Sequence, residues 1–168
     1  SLEKILSKLD NVFSLGDIVA VNTKEYLKNV SRYSKVWKSY TSNDFSGVNK
    51  KEIDWFNNIN IKGWQKQLEM IKQYNKEFYV NRGNSDIRML AIFNEMRNGL
   101  NKAVIENNKF HFIEKLYFIK IENIGIIFLP YQDEEYEISD LLNTIDEKFT
   151  KLIVLGHCPL FRVHEKKY

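Results

Sequence analysis

The stretch that most restricts the fold is Phe110 to Leu129, FHFIEKLYFIKIENIGIIFL, whose β-branched and aromatic residues suit a sheet and little else. Strand side chains alternate, so Leu116, Phe118, Lys120 and Glu122 share one face while Tyr117, Ile119 and Ile121 share the other. One face is apolar and the other mixed. Asn and Gly tolerate positive φ, which gives Glu122-Asn123-Ile124-Gly125 the chemistry of a turn that sends the chain back through Ile126, Ile127, Phe128 and Leu129. Pro130 lacks an amide donor and closes the second strand. A hairpin here makes a spine for the core.

The flanking segments read mostly as helices. Leu2, Ile5, Leu6, Leu9, Val12 and Phe13 recur at helical spacing up to Gly16, and Asp17 to Val21 reads as a short strand. A second helix runs from Thr23 to about Tyr40, followed by a polar loop from Thr41 to Asn49. Lys50 to Phe56 forms a turn or two before Asn57-Asn58-Ile59-Asn60 breaks the pattern. Trp64, Leu68, Ile71, Tyr74 and Phe78 then predict a helix that Arg82-Gly83-Asn84 stops. With Ser85 as cap, Met89, Phe93, Met96, Leu100 and Ala103 predict one long central helix from Asp86 to about Asn107. Beyond the hairpin, Ser139 caps a helix with Leu141, Leu142, Ile145 and Phe149 inward. The apolar run Leu152 to Leu155 predicts a strand buried on both faces. This order implies an α+β or mixed α/β fold, with several amphipathic helices packed on a small sheet of about four to five strands. The succession of hairpin, helix and strand is similar to that of PAS-like and GAF-like sensor folds, a likeness of architecture and not of function.

At 168 residues, 43% hydrophobic and 28% charged, the chain is expected to be a single globular domain over 1–168, free-standing or a piece of a longer protein. Its net charge of +3 is mild beside that of proteins that live on nucleic acid or anionic lipid. No apolar run approaches the roughly 20 residues needed to cross a bilayer. The single Cys158 excludes an internal disulfide framework and fits a reducing compartment, so a cytoplasmic location is expected.

Glycine-rich nucleotide loops, the GxSxG elbow, HExxH and the EF-hand loop are all missing, so no cofactor is implied. A metal centre has no spacing signature either; a mononuclear ion on His157, His164 and a carboxylate would have to be assembled by the fold. Two weak sites stand out. Gly156-His157-Cys158-Pro159 follows the strand at Leu152 to Leu155, at the end where ligands collect in open α/β sheets, which makes Cys158 and His157 catalytic candidates. Adjacent residues of an extended chain point apart, so His157 is badly placed to activate Cys158 itself. Lys24, Lys28, Arg32 and Lys35 share one helix face and are candidate anion contacts, with Tyr26, Tyr33 and Tyr40 at seven-residue intervals as stacking platforms.

The leading expectation is a binding or regulatory module that accepts a small ligand or a protein partner, without a complete catalytic constellation. Two alternatives accompany it: a nucleic-acid-associated protein using the basic helix face, and a Cys-dependent enzyme centred on Cys158.

Overall fold

The structure, a computed structural model, describes residues 10–18, 24–74, 76–132, 136, 138–145 and 148–157. Its elements in chain order are β1 (Asn11–Ser14), α1 (Lys24–Lys28), α2 (Val30–Ser42), α3 (Lys50–Tyr74), β2 (Glu77–Asn81), α4 (Asn84–Ile92), α5 (Asn94–Glu106), β3 (Phe110–Ile113), β4 (Tyr117–Ile121), β5 (Ile124–Leu129), α6 (Ile138–Thr144) and β6 (Lys151–Gly156). The fold is α+β, built on two sheets of three strands each. In the first sheet β1, β2 and β3 run parallel, with Val12 beside Phe78 and Phe78 beside Phe110. In the second, β4 and β5 form an antiparallel hairpin and β6 lies parallel to β5, with Ile126 beside Ile153.

Alternation along β2 explains the layering. Phe78 and Val80 are buried with Phe110 in a cluster that includes Phe56, Trp64, Met89, Phe93, Met96 and Leu100 from the helices. Tyr79, on the opposite face, stacks on Phe13 at 5.5 Å and on Phe128 of the second sheet at 5.7 Å. The first sheet is therefore a middle layer, helices on one side and the second sheet on the other.

The Phe110–Leu129 stretch divides between the sheets: β3 pairs with β2, and the hairpin is confined to β4 and β5. Its turn is shorter than expected, because Ile121 pairs with Ile124 and only Glu122 and Asn123 connect them. The positive φ, 53°, falls on Glu122. Gly125 sits inside β5, where a Cβ would lie 2.9 Å from Phe118 Cε2 and 3.2 Å from Phe149 Cγ. Ile119 and Ile121 pack on Ile113, Ile126 and Phe128, as the apolar face should.

Three helix readings change. The expected second helix, Thr23 to about Tyr40, is described as α1 and α2, parted at Asn29 (φ −128°, ψ 31°). The 25-residue α3 runs through the Asn-rich stretch that was expected to break it. Asn is a poor helix former because its side chain competes for backbone bonds, and here the amide oxygens of Asn57 and Asn60 are taken by tyrosines of α2. Asn57 Oδ1 accepts the Tyr40 hydroxyl at 2.8 Å, Asn60 Oδ1 accepts the Tyr33 hydroxyl at 2.9 Å, and Asn60 Nδ2 donates to the Phe56 carbonyl at 2.8 Å. Conversely, the expected long helix from Asp86 is two helices, since Phe93 takes extended angles (φ −109°, ψ 97°). Arg97 closes the break by donating from Nε and Nη2 to the Leu90 carbonyl, at 3.0 and 2.7 Å.

Three strand readings change as well. Asn11–Ser14 is a strand where Val12 and Phe13 read as helical, and Asp17-Ile18 belongs to the turn after it. Phe78 lies in a strand and not at the end of a helix. Leu152, Ile153 and Val154, expected to be buried, are 41%, 43% and 48% exposed, because among the described residues β6 is the edge of its sheet. Among the described residues no helix is long and apolar enough to cross a membrane.

Candidate metal centre

The carboxyl ends of β1, β2 and β6 converge. Asn81, fully buried at the end of β2, ties it to β5 and β6 by donating from Nδ2 to the Leu129 carbonyl at 2.9 Å and the Leu155 carbonyl at 3.0 Å. His157 continues β6 and donates its main-chain N–H to Leu129 O at 2.9 Å. From this position its imidazole reaches over to the turn that follows β1.

That turn is built for close approach. Gly16 (φ 115°) and Asp17 (φ 55°) are both left-handed, a pair of conformations that reverses the chain within two residues. A Cβ on Gly16 would stand 2.6 Å from His157 Nδ1 and 3.0 Å from Asn81 O, so only glycine fits. Across from it, Gly83 begins α4, and a Cβ there would stand 2.2 Å from Asp17 Oδ1. Two glycines thus let the β1 turn, the β2 turn and His157 meet.

Asp17, Asn84 and His157 are the side chains brought together. His157 Nε2 is 3.0 Å from Asn84 Oδ1 and 3.7 Å from Asp17 Oδ1. The other ring nitrogen, Nδ1, lies 2.7 Å from the Leu15 carbonyl, which can only accept. Nδ1 therefore carries the proton, and in the neutral ring Nε2 presents a lone pair to two oxygen atoms. A second proton or a cation resolves that opposition. Metal–ligand bonds of about 2.0–2.2 Å place neighbouring donors roughly 3.0–3.5 Å apart, close to the separations seen here. Imidazole oriented by a main-chain carbonyl through its other nitrogen is the usual state of a ligating histidine. The Asp17 and His157 side chains are 33% and 24% exposed, so the cluster opens to solvent.

Among the described residues no three His, Cys, Asp or Glu side chains gather at a metal-binding distance, so the set depends on the amide oxygen of Asn84. Of the sequence candidates, His157 takes part, while Cys158 and His164 lie outside the described residues. His111 is elsewhere: its Nε2 meets Glu77 Oε2 at 2.8 Å and its ring stacks on Tyr79 at 4.5 Å. On the basic face, Arg32 lies 4.2 Å over the Trp55 ring and donates to Lys51 O, and Lys35 pairs with Glu52 at 3.0 Å. The main-chain N–H of Asn49 and the Lys35 ammonium hold the Glu52 carboxyl below its usual range. Lys28 is exposed, and the Lys24 side chain lies outside the described residues. Tyr33 and Tyr40 bond to α3 instead of facing solvent as stacking platforms.

Asp17 and Asn84 were not singled out in the sequence. Their shared signal is a Gly followed by an oxygen donor, Gly16-Asp17 and Gly83-Asn84, each just past a strand. Both strands have a helical look in the sequence, which hid it. No family model, no curated protein and no solved structure matches this chain.

Proposed function

We propose that Asp17, Asn84 and His157 bind one divalent cation and that the protein uses it on a phosphate ester, as a metal-dependent phosphoester hydrolase. The observation that supports this most is the convergence of His157 Nε2 with Asn84 Oδ1 and Asp17 Oδ1 at 3.0 and 3.7 Å. One nitrogen and two oxygen donors suit Mn²⁺, Fe²⁺ or Zn²⁺ better than Ca²⁺, which takes six to eight oxygens. Three protein donors leave coordination positions for water and ligand, the pattern of a reactive site and not of a closed structural one. A cation so placed supplies Lewis acidity toward a phosphoryl oxygen.

A second reading keeps the cation and omits the chemistry: a binding module that holds a phosphate-bearing ligand. It draws on the sequence expectation of a ligand-accepting domain. A cytoplasmic setting suits either.

Calorimetric titration with Mn²⁺ and Zn²⁺, followed by assay of para-nitrophenyl phosphate and its bis ester, separates them. Saturable binding lost in Asp17→Ala and His157→Ala, with metal-dependent turnover, is the expected result. Binding without turnover leaves the module reading. Wild-type protein that takes up neither metal overturns the site.

A further inference from the structure

Asp86 is fully buried in the first turn of α4, three residues after the N-cap Gly83. Its Oδ2 accepts two main-chain hydrogen bonds, from Gly83 N at 2.7 Å and from Asp17 N at 3.0 Å. The first joins the carboxylate of the third helical residue to the N-cap amide and belongs to the helix start. The second reaches 69 residues back along the chain, to the turn after β1.

We propose that Asp86 is the positioning residue of the cation site, one carboxylate oxygen setting the distance between Asp17 and Asn84. This inference rests on the cation reading above. Asp17 is itself a donor, and Gly83 immediately precedes the donor Asn84, so the two amides held by Oδ2 are those that fix where the donors sit. A reciprocal bond, Ser85 N to Asp17 Oδ1 at 2.9 Å, braces the same pair from the other side. Each contact joins α4 to the β1 turn, and neither is needed to form a helix. A carboxylate buried at this depth is costly unless it is hydrogen-bonded, and two N–H donors on Oδ2 offset part of that cost.

The experiment compares Mn²⁺ affinity in wild type, Asp86→Asn and Asp86→Ala by calorimetry, well below each variant's melting temperature, with the paramagnetic resonance line shape of bound Mn²⁺ as a second readout. Residues that orient metal ligands change affinity by about 10–100-fold when altered. The expected result is about a tenfold loss in the Asn variant, which keeps an acceptor oxygen, and about a hundredfold loss in the Ala variant, each with a changed line shape. Folded variants that bind Mn²⁺ as tightly as wild type overturn the role of Asp86 while leaving the site intact. Wild-type protein that binds no Mn²⁺ overturns the site itself, and this inference with it. A further measurement needs no variant: amide hydrogen exchange on wild-type protein should show Asp17 and Gly83 N–H strongly protected, and free-peptide rates at either would overturn the clamp.

Discussion

The two sheets use opposite kinds of sequence for opposite kinds of burial. β2 reads EFYVN, with a charge at one end and an amide at the other, yet it is the middle strand of its sheet and Phe78, Val80 and Asn81 are buried. β6 reads KLIVLG, the more hydrophobic of the two, and its Leu152, Ile153 and Val154 are 41% to 48% exposed. Burial is conferred by neighbours on both edges and both faces, and residue type alone does not supply them. β2 has β1 and β3 beside it, helices over one face and the second sheet over the other. Among the described residues β6 has β5 alone as a strand neighbour.

Large-to-small substitutions are the sharpest way to break this contrast. Phe110→Ala, in the strand that flanks β2, should cost about 3–5 kcal/mol of stability in urea denaturation, because the ring leaves a cavity among helix side chains. Ile153→Ala should cost under about 1 kcal/mol, since that side chain is half in water already. Equal losses would mean that β6 is covered in solution. Next in size is the clasp between the sheets. Asn81→Leu withdraws the hydrogen bonds to Leu129 O and Leu155 O and should cost about 1–3 kcal/mol. A neutral Asn81→Leu would show the sheets packing without it.

The smallest effect distinguishes the cover of the first sheet by its titration. Tyr33, in α2, is pushed up to about 12, chiefly by burial, against the lowering effect of its bond to Asn60. The unfolded hydroxyl ionises near 10, so the unfolded chain loses this proton first. The corresponding stability is full below about pH 10 and is lost as pH rises toward 12. Tyrosinate absorbance should show a late step that Tyr33→Phe removes. A chain whose tyrosines all titrate near pH 10 would mean that α2 does not seal against α3.

The class of fold, the hairpin and the buried helical stripe of Met89, Phe93, Met96 and Leu100 were legible because periodicity and turn chemistry are local. What was not legible was decided by partners far along the chain. The Asn57 to Asn60 stretch stays helical because tyrosines of α2 occupy its amides, a contact that spacing within α3 cannot reveal. The site was half visible. His157 followed an apolar strand and drew notice, but Asp17 and Asn84 lie 67 residues apart in sequence and meet only because β1 and β6 end at the same level as β2.

The extended link at Phe93 makes α4 a helix separate from α5. The helix that carries Asn84 and Asp86 is a short lever, joined to its successor through one non-helical residue and the grip of Arg97 on Leu90. Bending at that joint must open two charge-assisted hydrogen bonds, so a displacement of α5 is passed on to α4 instead of being taken up at Phe93. The geometry around Asp17, bonded to the first turn of α4, is in this way coupled to whatever docks along the outer face of α5.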